Sequence, residues 1–210
     1  MAALNKLQLG VFGRRNARPV IPSLLNFPTG NTDKDWIDFG ISQYIFSGAF
    51  YVEIDFLYSA VTSTYAGVFG TLFIPVNQSF RMLISNSTFL VSLTNNLNNS
   101  TAKASYLNTR FTVRFRRDAS NNLFVSYNGG TESNVGTKAG TICVKSVSNA
   151  DNTPRYLQGK VYRFDINGDE YLLTEGSGNK VYGSLGGKGT IKTSNISGIT
   201  HINNDMWEAL

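Results

Sequence analysis

The sequence predicts an all-β protein, a sandwich or barrel with many turns. Three observations carry this expectation. Short runs rich in Val, Ile, Thr, Tyr and Phe recur along the chain, several alternating apolar and polar with a period of two. Twenty glycines, with many Asn and Ser residues, fall between those runs. No long amphipathic helical pattern and no repeat of fixed period is present. At 210 residues the chain is long enough for one large β domain with a sizeable core.

Residues 1–30 differ from the rest. They hold Lys6, Arg14, Arg15 and Arg18 and no acid, whereas residues 31–210 hold 15 basic and 14 acidic residues. The basic character therefore belongs to the first segment, and the remainder is nearly neutral. Pro19, Pro22 and Pro28 are three of the five prolines, which disfavours a continuous helix or a central strand. Leu4, Leu7, Leu9, Val11 and Phe12 are too apolar to be left in water without reason. The expectation is an extended arm over residues 1–30 that docks on another surface through Lys6, Phe12, Arg14, Arg15 and Arg18. The alternatives are an unstructured leader and a strand that closes the sandwich. Four charges mixed with prolines make a poor phosphate stripe, so an acidic protein surface is the expected partner and direct nucleic-acid binding is not.

Residues 31–210 read as the domain itself. Phe50 to Phe56 alternates cleanly, with Phe50, Val52, Ile54 and Phe56 inward and Tyr51, Glu53 and Asp55 outward. Candidate strands follow at 69–76, 80–84 and 89–93. The polar stretch from Thr94 to Ser105 reads as a long exposed loop. Phe111, Val113 and Phe115 point inward on the next strand, and Thr112, Arg114 and Arg116 outward, with Arg117 adding to a small basic patch. The turn Asp118–Asn122 leads into Leu123–Tyr127, and Asn128-Gly129 is a tight-turn signal because both residues tolerate positive φ. Val161 to Ile166 alternates into the turn Asn167-Gly168-Asp169, followed by a short strand at Tyr171–Leu173.

The single cysteine, Cys143, cannot form an intramolecular disulfide, and between Ile142 and Val144 it reads as a small core residue. No apolar stretch of 18 residues exists, so no membrane-inserted helix is expected. The opening Met1–Lys6 lacks a sustained apolar run, so no secretory leader is expected.

Four elements together resemble a known family. They are the hairpin Thr112 to Gly129, the strand opening Gly159-Lys160-Val161-Tyr162, the closing segment from Tyr156 to Ile191 with its Glu175-Gly176-Ser177-Gly178 link, and the final Trp207-Glu208. Over residues 36–210 their order and spacing resemble laminin-G-like, concanavalin A-like lectin–glucanase domains, in the form common in bacteriophage virion proteins. The resemblance implies a jelly-roll sandwich of two antiparallel sheets. It implies a non-enzymatic virion part, a capsid decoration or a tail component, anchored by the arm to other virion proteins and assembled as a homo-oligomer. A soluble lectin-like module, a host-receptor adhesin and a divergent glycoside hydrolase are the alternatives.

Each alternative has candidate residues. Some glycosidases of that superfamily carry Glu-x-Asp followed by a second Glu on one strand. Here Glu53-Ile54-Asp55 is followed by Leu57 and Tyr58, so the second glutamate is missing and Asp55 would have to replace it. His201, the only histidine, has no serine elbow to serve. Asp165, Asn167 and Asp169 alternate across a turn and could offer oxygen ligands to calcium; capping of that turn is the alternative. A host-surface glycan would meet exposed aromatics and amides, for which Tyr65, Tyr106, Tyr127, Asn128 and Tyr182 lie near predicted loops.

Overall fold

The computed structural model describes residues 23–27, 34–60, 66–70, 80–84, 89–93, 96–100, 108–148, 157–194, 200–202 and 206–210. Among them every regular element is a β-strand, arranged in two large antiparallel sheets and one two-stranded ribbon. The all-β, two-sheet antiparallel sandwich expected from the sequence is the fold observed.

The first sheet runs in the order β11 (Ser133–Thr137), β10 (Asn122–Tyr127), β9 (Arg110–Arg117), β4 (Phe50–Ala60), β14 (Gln158–Ile166), β1 (Ser23–Phe27) and β19 (Trp207–Ala209). β15 (Asp169–Tyr171) pairs with the end of β14 that β1 leaves open. The second sheet runs β16 (Lys180–Tyr182), β17 (Lys188–Ser194), β2 (Lys34–Asp38), β13 (Ser146–Val147), β5 (Ala66–Gly70), β6 (Phe80–Ile84), β7 (Phe89–Leu93) and β8 (Asn96–Ser100), with β18 (Thr200–Ile202) on β17. The ribbon is β3 (Ile45–Phe46) with β12 (Ile142–Cys143).

Alternation fills the core. Phe50, Val52, Ile54 and Phe56 of β4, Phe111, Val113 and Phe115 of β9, and Val161, Phe164 and Ile166 of β14 join Ile37, Phe69, Met82, Val147, Val181 and Ile191 of the second sheet in one buried cluster. Full burial of each large side chain contributes about 1.5–3 kcal/mol. Rings add directional contacts, with Phe164 stacked on Tyr171 at 4.4 Å and Phe46 on Phe50 at 4.5 Å.

The hairpins follow their turn chemistry. Ile166 pairs with Asp169 across Asn167 and Gly168, whose φ values of 54° and 92° are those of a two-residue primed turn. Gly159 holds φ 150° where a Cβ would lie 1.9 Å from the Leu57 carbonyl oxygen, so no other residue fits there.

The structure corrects the sequence reading at several points. Ser23–Phe27, assigned to the arm, is an interior strand whose Leu25 and Phe27 are buried, so the sandwich begins before residue 31. This matches the alternative of a closing strand for that part; residues 1–22, with Lys6, Phe12, Arg14, Arg15 and Arg18, lie outside the described residues. Asn96–Ser100, read as loop, is the strand β8, because β7 supplies a full ladder that overrides the poor strand propensity of asparagine. The strand expected at 69–76 is centred earlier, at Ala66–Gly70, and residues 71–76 lie outside the described residues. Asp169–Tyr171 rather than Tyr171–Leu173 forms the short returning strand.

Two further corrections concern charge. Asp55 is buried beneath Arg110 rather than open to water. Arg117 does not join a basic patch: alternation turns it inward, where it is only 1% exposed. Its guanidinium donates to the carbonyls of Phe46, Gly48, Lys138 and Gly140 at 2.6–3.2 Å and ties the loop before β4 to the loop after β11. Burial lowers its pKa from the ordinary arginine value.

Candidate binding face

The outward side of the first sheet gathers the chain's charged and aromatic groups. Cross-strand register sets Asp165, Glu53, Arg114 and Ser126 in one row. Arg163, Asp55 and Thr112 form the row on one side, and Tyr51, Arg116 and Phe124 the row on the other. A β-bulge on β14 completes the face. The register steps from Val161–Phe56 to Arg163–Asp55, which leaves Tyr162 as the extra residue. Tyr162 and Arg163 therefore both look outward, where strict alternation from Val161 to Ile166 would have sent one of them inward.

Ion pairs cross these rows. Arg110 grips Asp55 with two bonds of 2.9 and 2.7 Å. Arg163 reaches Glu53 at 2.7 Å and Glu170 at 3.1 Å. Arg116 pairs with Glu132, and Lys160 with Glu208 at 2.5 Å. Three arginines also lie over rings: Arg110 on Tyr162 at 3.8 Å, Arg116 on Phe124 at 4.1 Å and Arg114 on Tyr51 at 4.3 Å. The Tyr51 hydroxyl donates to Asp165 Oδ2 at 3.1 Å, which fixes the ring beneath Arg114.

Arg114 is the exception among these cations. Its cross-strand neighbour Glu53 is committed to Arg163. The Nε of Arg114 is buried with no hydrogen-bond partner, and among the described residues no carboxylate lies within ion-pair distance of it. The face as a whole is balanced, with Arg110, Arg114, Arg116, Lys160 and Arg163 set against Glu53, Asp55, Glu132, Asp165, Glu170 and Glu208. It therefore projects no strong positive field.

A second polar cluster lies at one end of the sandwich and is closed. The Tyr44 hydroxyl donates to Asp169 Oδ2 at 2.5 Å and meets the Tyr171 hydroxyl at 2.5 Å. Asp169 also accepts from the Leu185 and Gly187 amides at 2.7 and 3.0 Å, so the loop 183–188 wraps around its carboxylate. A Cβ on Gly187 would lie 1.9 Å from the Tyr44 hydroxyl and one on Gly183 2.0 Å from Asp169 Oδ1, which explains the glycines. Burial, then hydrogen bonding to Asp169, raises the Tyr44 pKa; burial also raises that of Tyr171.

The sequence candidates fall in different places. Tyr65 and Tyr106 lie outside the described residues. Tyr127 is half-buried against the core at the end of β10, and Asn128 accepts the Thr112 amide at the adjoining turn. Tyr182 is exposed on β16, an edge strand of the other sheet, so these residues form no common platform. Asp165 and Asp169 are on opposite sides of their hairpin. Asp165 accepts from Gly168 and Tyr51, while Asp169 faces the buried tyrosines. The trio with Asn167 is thus not brought together, and among the described residues no three His, Cys, Asp or Glu side chains converge on a metal position. Glu53 and Asp55 are each held by an arginine. Cys143 is buried, and its thiol is pushed up to about 11 by that burial. Sequence reasoning placed Tyr51, Glu53, Arg114 and Arg116 outward but missed the partnership of Tyr51, Tyr162 and Phe124 with arginines, which depends on register and on the bulge.

No protein-family model matches the sequence, and no curated protein sequence does. Solved structures resemble the fold. A protein of Bacteroides ovatus ATCC 8483, provisionally assigned to carbohydrate binding, aligns over 88% of this chain and 60% of its own with a TM-score of 0.56 and 14% identity. Domains LG4-5 of the mouse laminin alpha1 chain align over 71% of this chain and 42% of their own at 0.50 and 12%. A heptameric SAP-like pentraxin from Limulus polyphemus aligns over 70% and 76% at 0.51 and 12%. The chain thus spans less than two thirds of the first two. With the two antiparallel sheets, these likenesses define the fold as a laminin-G- and pentraxin-like jelly-roll sandwich. Bacteriophage origin is a finer statement than they carry.

Proposed function

We propose that this chain is a non-enzymatic, lectin-like recognition module that binds saccharide on the outward face of its first sheet. The observation that carries the reading is the face itself: aromatic rings, guanidinium forks and carboxylates fixed in register by ion pairs. Such a surface offers guanidinium groups backed by aromatic rings, and paired carboxylates, to the hydroxyls of a sugar. Its balanced charge disfavours a nucleic-acid backbone, which rewards net positive charge. The carbohydrate-binding assignment of the Bacteroides neighbour is compatible with this reading. Catalysis at Glu53 and Asp55 is disfavoured because Arg163 and Arg110 occupy both carboxylates.

The test is binding of the full chain to an array of neutral and acidic oligosaccharides, with Tyr162→Ala and Arg110→Ala as face variants. Saccharide binding weakened about tenfold by either change, with no cleavage of the bound sugar, is expected. Absence of binding across the array, or binding that both variants leave intact, would overturn the reading.

A second reading, display of the sandwich on a virion, is favoured by the segregation of Lys6, Arg14, Arg15 and Arg18 into the first segment. There the arm would contact other virion proteins and copies of the chain would form a homo-oligomer. Its test is a truncation starting at residue 23, which keeps β1. Loss of incorporation into particles is expected, and normal incorporation removes the anchoring role.

A further inference from the structure

We infer that Arg114, laid over Tyr51, is an anchoring subsite for one carboxylate of an acidic saccharide. This deepens the saccharide-binding reading and rests on it. Every other arginine described on the face has a carboxylate partner, and Arg117 is saturated by backbone carbonyls. Arg114 has neither, although Glu53 and Asp165 share its cross-strand row and Glu132 lies within electrostatic reach.

The geometry explains why the guanidinium is left open. Glu53, directly opposite on β4, turns to Arg163 on β14. Asp165, the next residue in that row, is taken by the Tyr51 hydroxyl and the Gly168 amide. Glu132 is taken by Arg116. The Tyr51 ring meanwhile supports the guanidinium plane at 4.3 Å, so the fork is positioned before any ligand arrives. A guanidinium fork held flat and without an acid matches a planar carboxylate through two parallel hydrogen bonds.

The surroundings also limit the ligand. Glu53 and Asp165 in the same row, with Glu132 in electrostatic reach, offset the Arg114 charge, so a densely charged polyanion meets no net positive field here. One isolated acidic group on an otherwise neutral sugar chain fits; a heavily sulfated polymer does not. Ser126, buried beside Arg114 on β10, closes the row on the far side.

The experiment uses the full chain and pairs of oligosaccharides that differ only at one C6 group, a uronic acid against the neutral hexose, with heparin as polyanion control. Calorimetry is run on wild type, Arg114→Gln and Arg114→Lys. The expected result is preference for the acidic member by about 10- to 100-fold, lost in Arg114→Gln and largely lost in Arg114→Lys, with the melting temperature retained. Equal affinity within the pairs, or a preference that survives Arg114→Gln, overturns the inference while leaving the saccharide reading standing. Heparin bound more tightly than the single-acid sugar, and insensitive to Arg114→Gln, overturns it as well. No binding of either member overturns the saccharide reading and the inference together.

Discussion

The outward face of the first sheet and the closed end around Asp169 are built from the same side chains, tyrosines and carboxylates, yet they are organised in opposite ways. At the closed end a buried carboxylate collects two amides and a phenol, and two glycines bring the loop close enough to reach it. On the face, ion pairs are half-exposed, and one guanidinium is left without an acid. A buried carboxylate without its donors is costly, whereas a surface pair contributes little. The closed end therefore stabilises the fold more than the face does.

The sharpest way to break the comparison is Asp169→Ala. It leaves the Leu185 and Gly187 amides without their acceptor and the Tyr44 hydroxyl with Tyr171 alone, at a cost of about 3–5 kcal/mol. A fall in melting temperature of roughly 6–20 °C is expected, read by circular dichroism. Arg110→Ala on the face removes a side chain that is 54% exposed and opens the buried Asp55 to water, so it should cost less than Asp169→Ala, about 1–2 kcal/mol. Equal losses from the two changes would erase the distinction.

The next effect is alkaline. Tyr44 and Tyr171 keep their protons above the ordinary tyrosine value of about 10. A raised folded pKa gives stability that is complete below the unfolded value and is lost as pH rises through the folded one. Denaturant stability should fall from about pH 10 upward. Ultraviolet titration of the native protein should show these two phenols silent at the pH where exposed tyrosines ionise. Tyr171→Phe should reduce the slope; an unchanged slope would mean that the cluster does not set the alkaline limit.

How much of this was legible in the sequence follows the range of the interactions. The alternation on β4 and β9 and the turns at Asn128-Gly129 and Asn167-Gly168 are local, and they were read correctly. The same alternation turns Arg117 inward, a consequence present in the sequence but not drawn from it. The outward pair Tyr162–Arg163 was hidden, because a bulge is a property of two paired strands rather than one. Arg163 meets Glu53 across 110 residues, so the isolation of Arg114 could not be seen locally. Asp169 looked like a metal ligand because its loop partners, Leu185 and Gly187, lie 16 and 18 residues further on. The strand Asn96–Ser100 was missed because its ladder on β7, not its own composition, makes it a strand.

The smallest expected effect lies between these extremes, at Asp38 on β2. Its carboxylate meets the Lys192 ammonium of β17 at 2.6 Å and the Gly40 amide at 2.9 Å. Burial alone would push this acid up, but the ammonium and the amide outweigh it and hold the pKa below the ordinary value. A lowered folded pKa gives stability that is present above the unfolded value of about 3.9 and is lost as pH falls through the folded one. Lys192→Met should therefore cost about 0.5–1 kcal/mol near neutrality and nothing once Asp38 is protonated in both states. The two denaturation curves should converge as the pH falls below the unfolded value of about 3.9 and through the lower folded one. A gap that persists unchanged into acid would show that Lys192 acts by packing its stem along β2 rather than by its charge. The link between the strands would then behave like the closed end, and not like the ion pairs of the face.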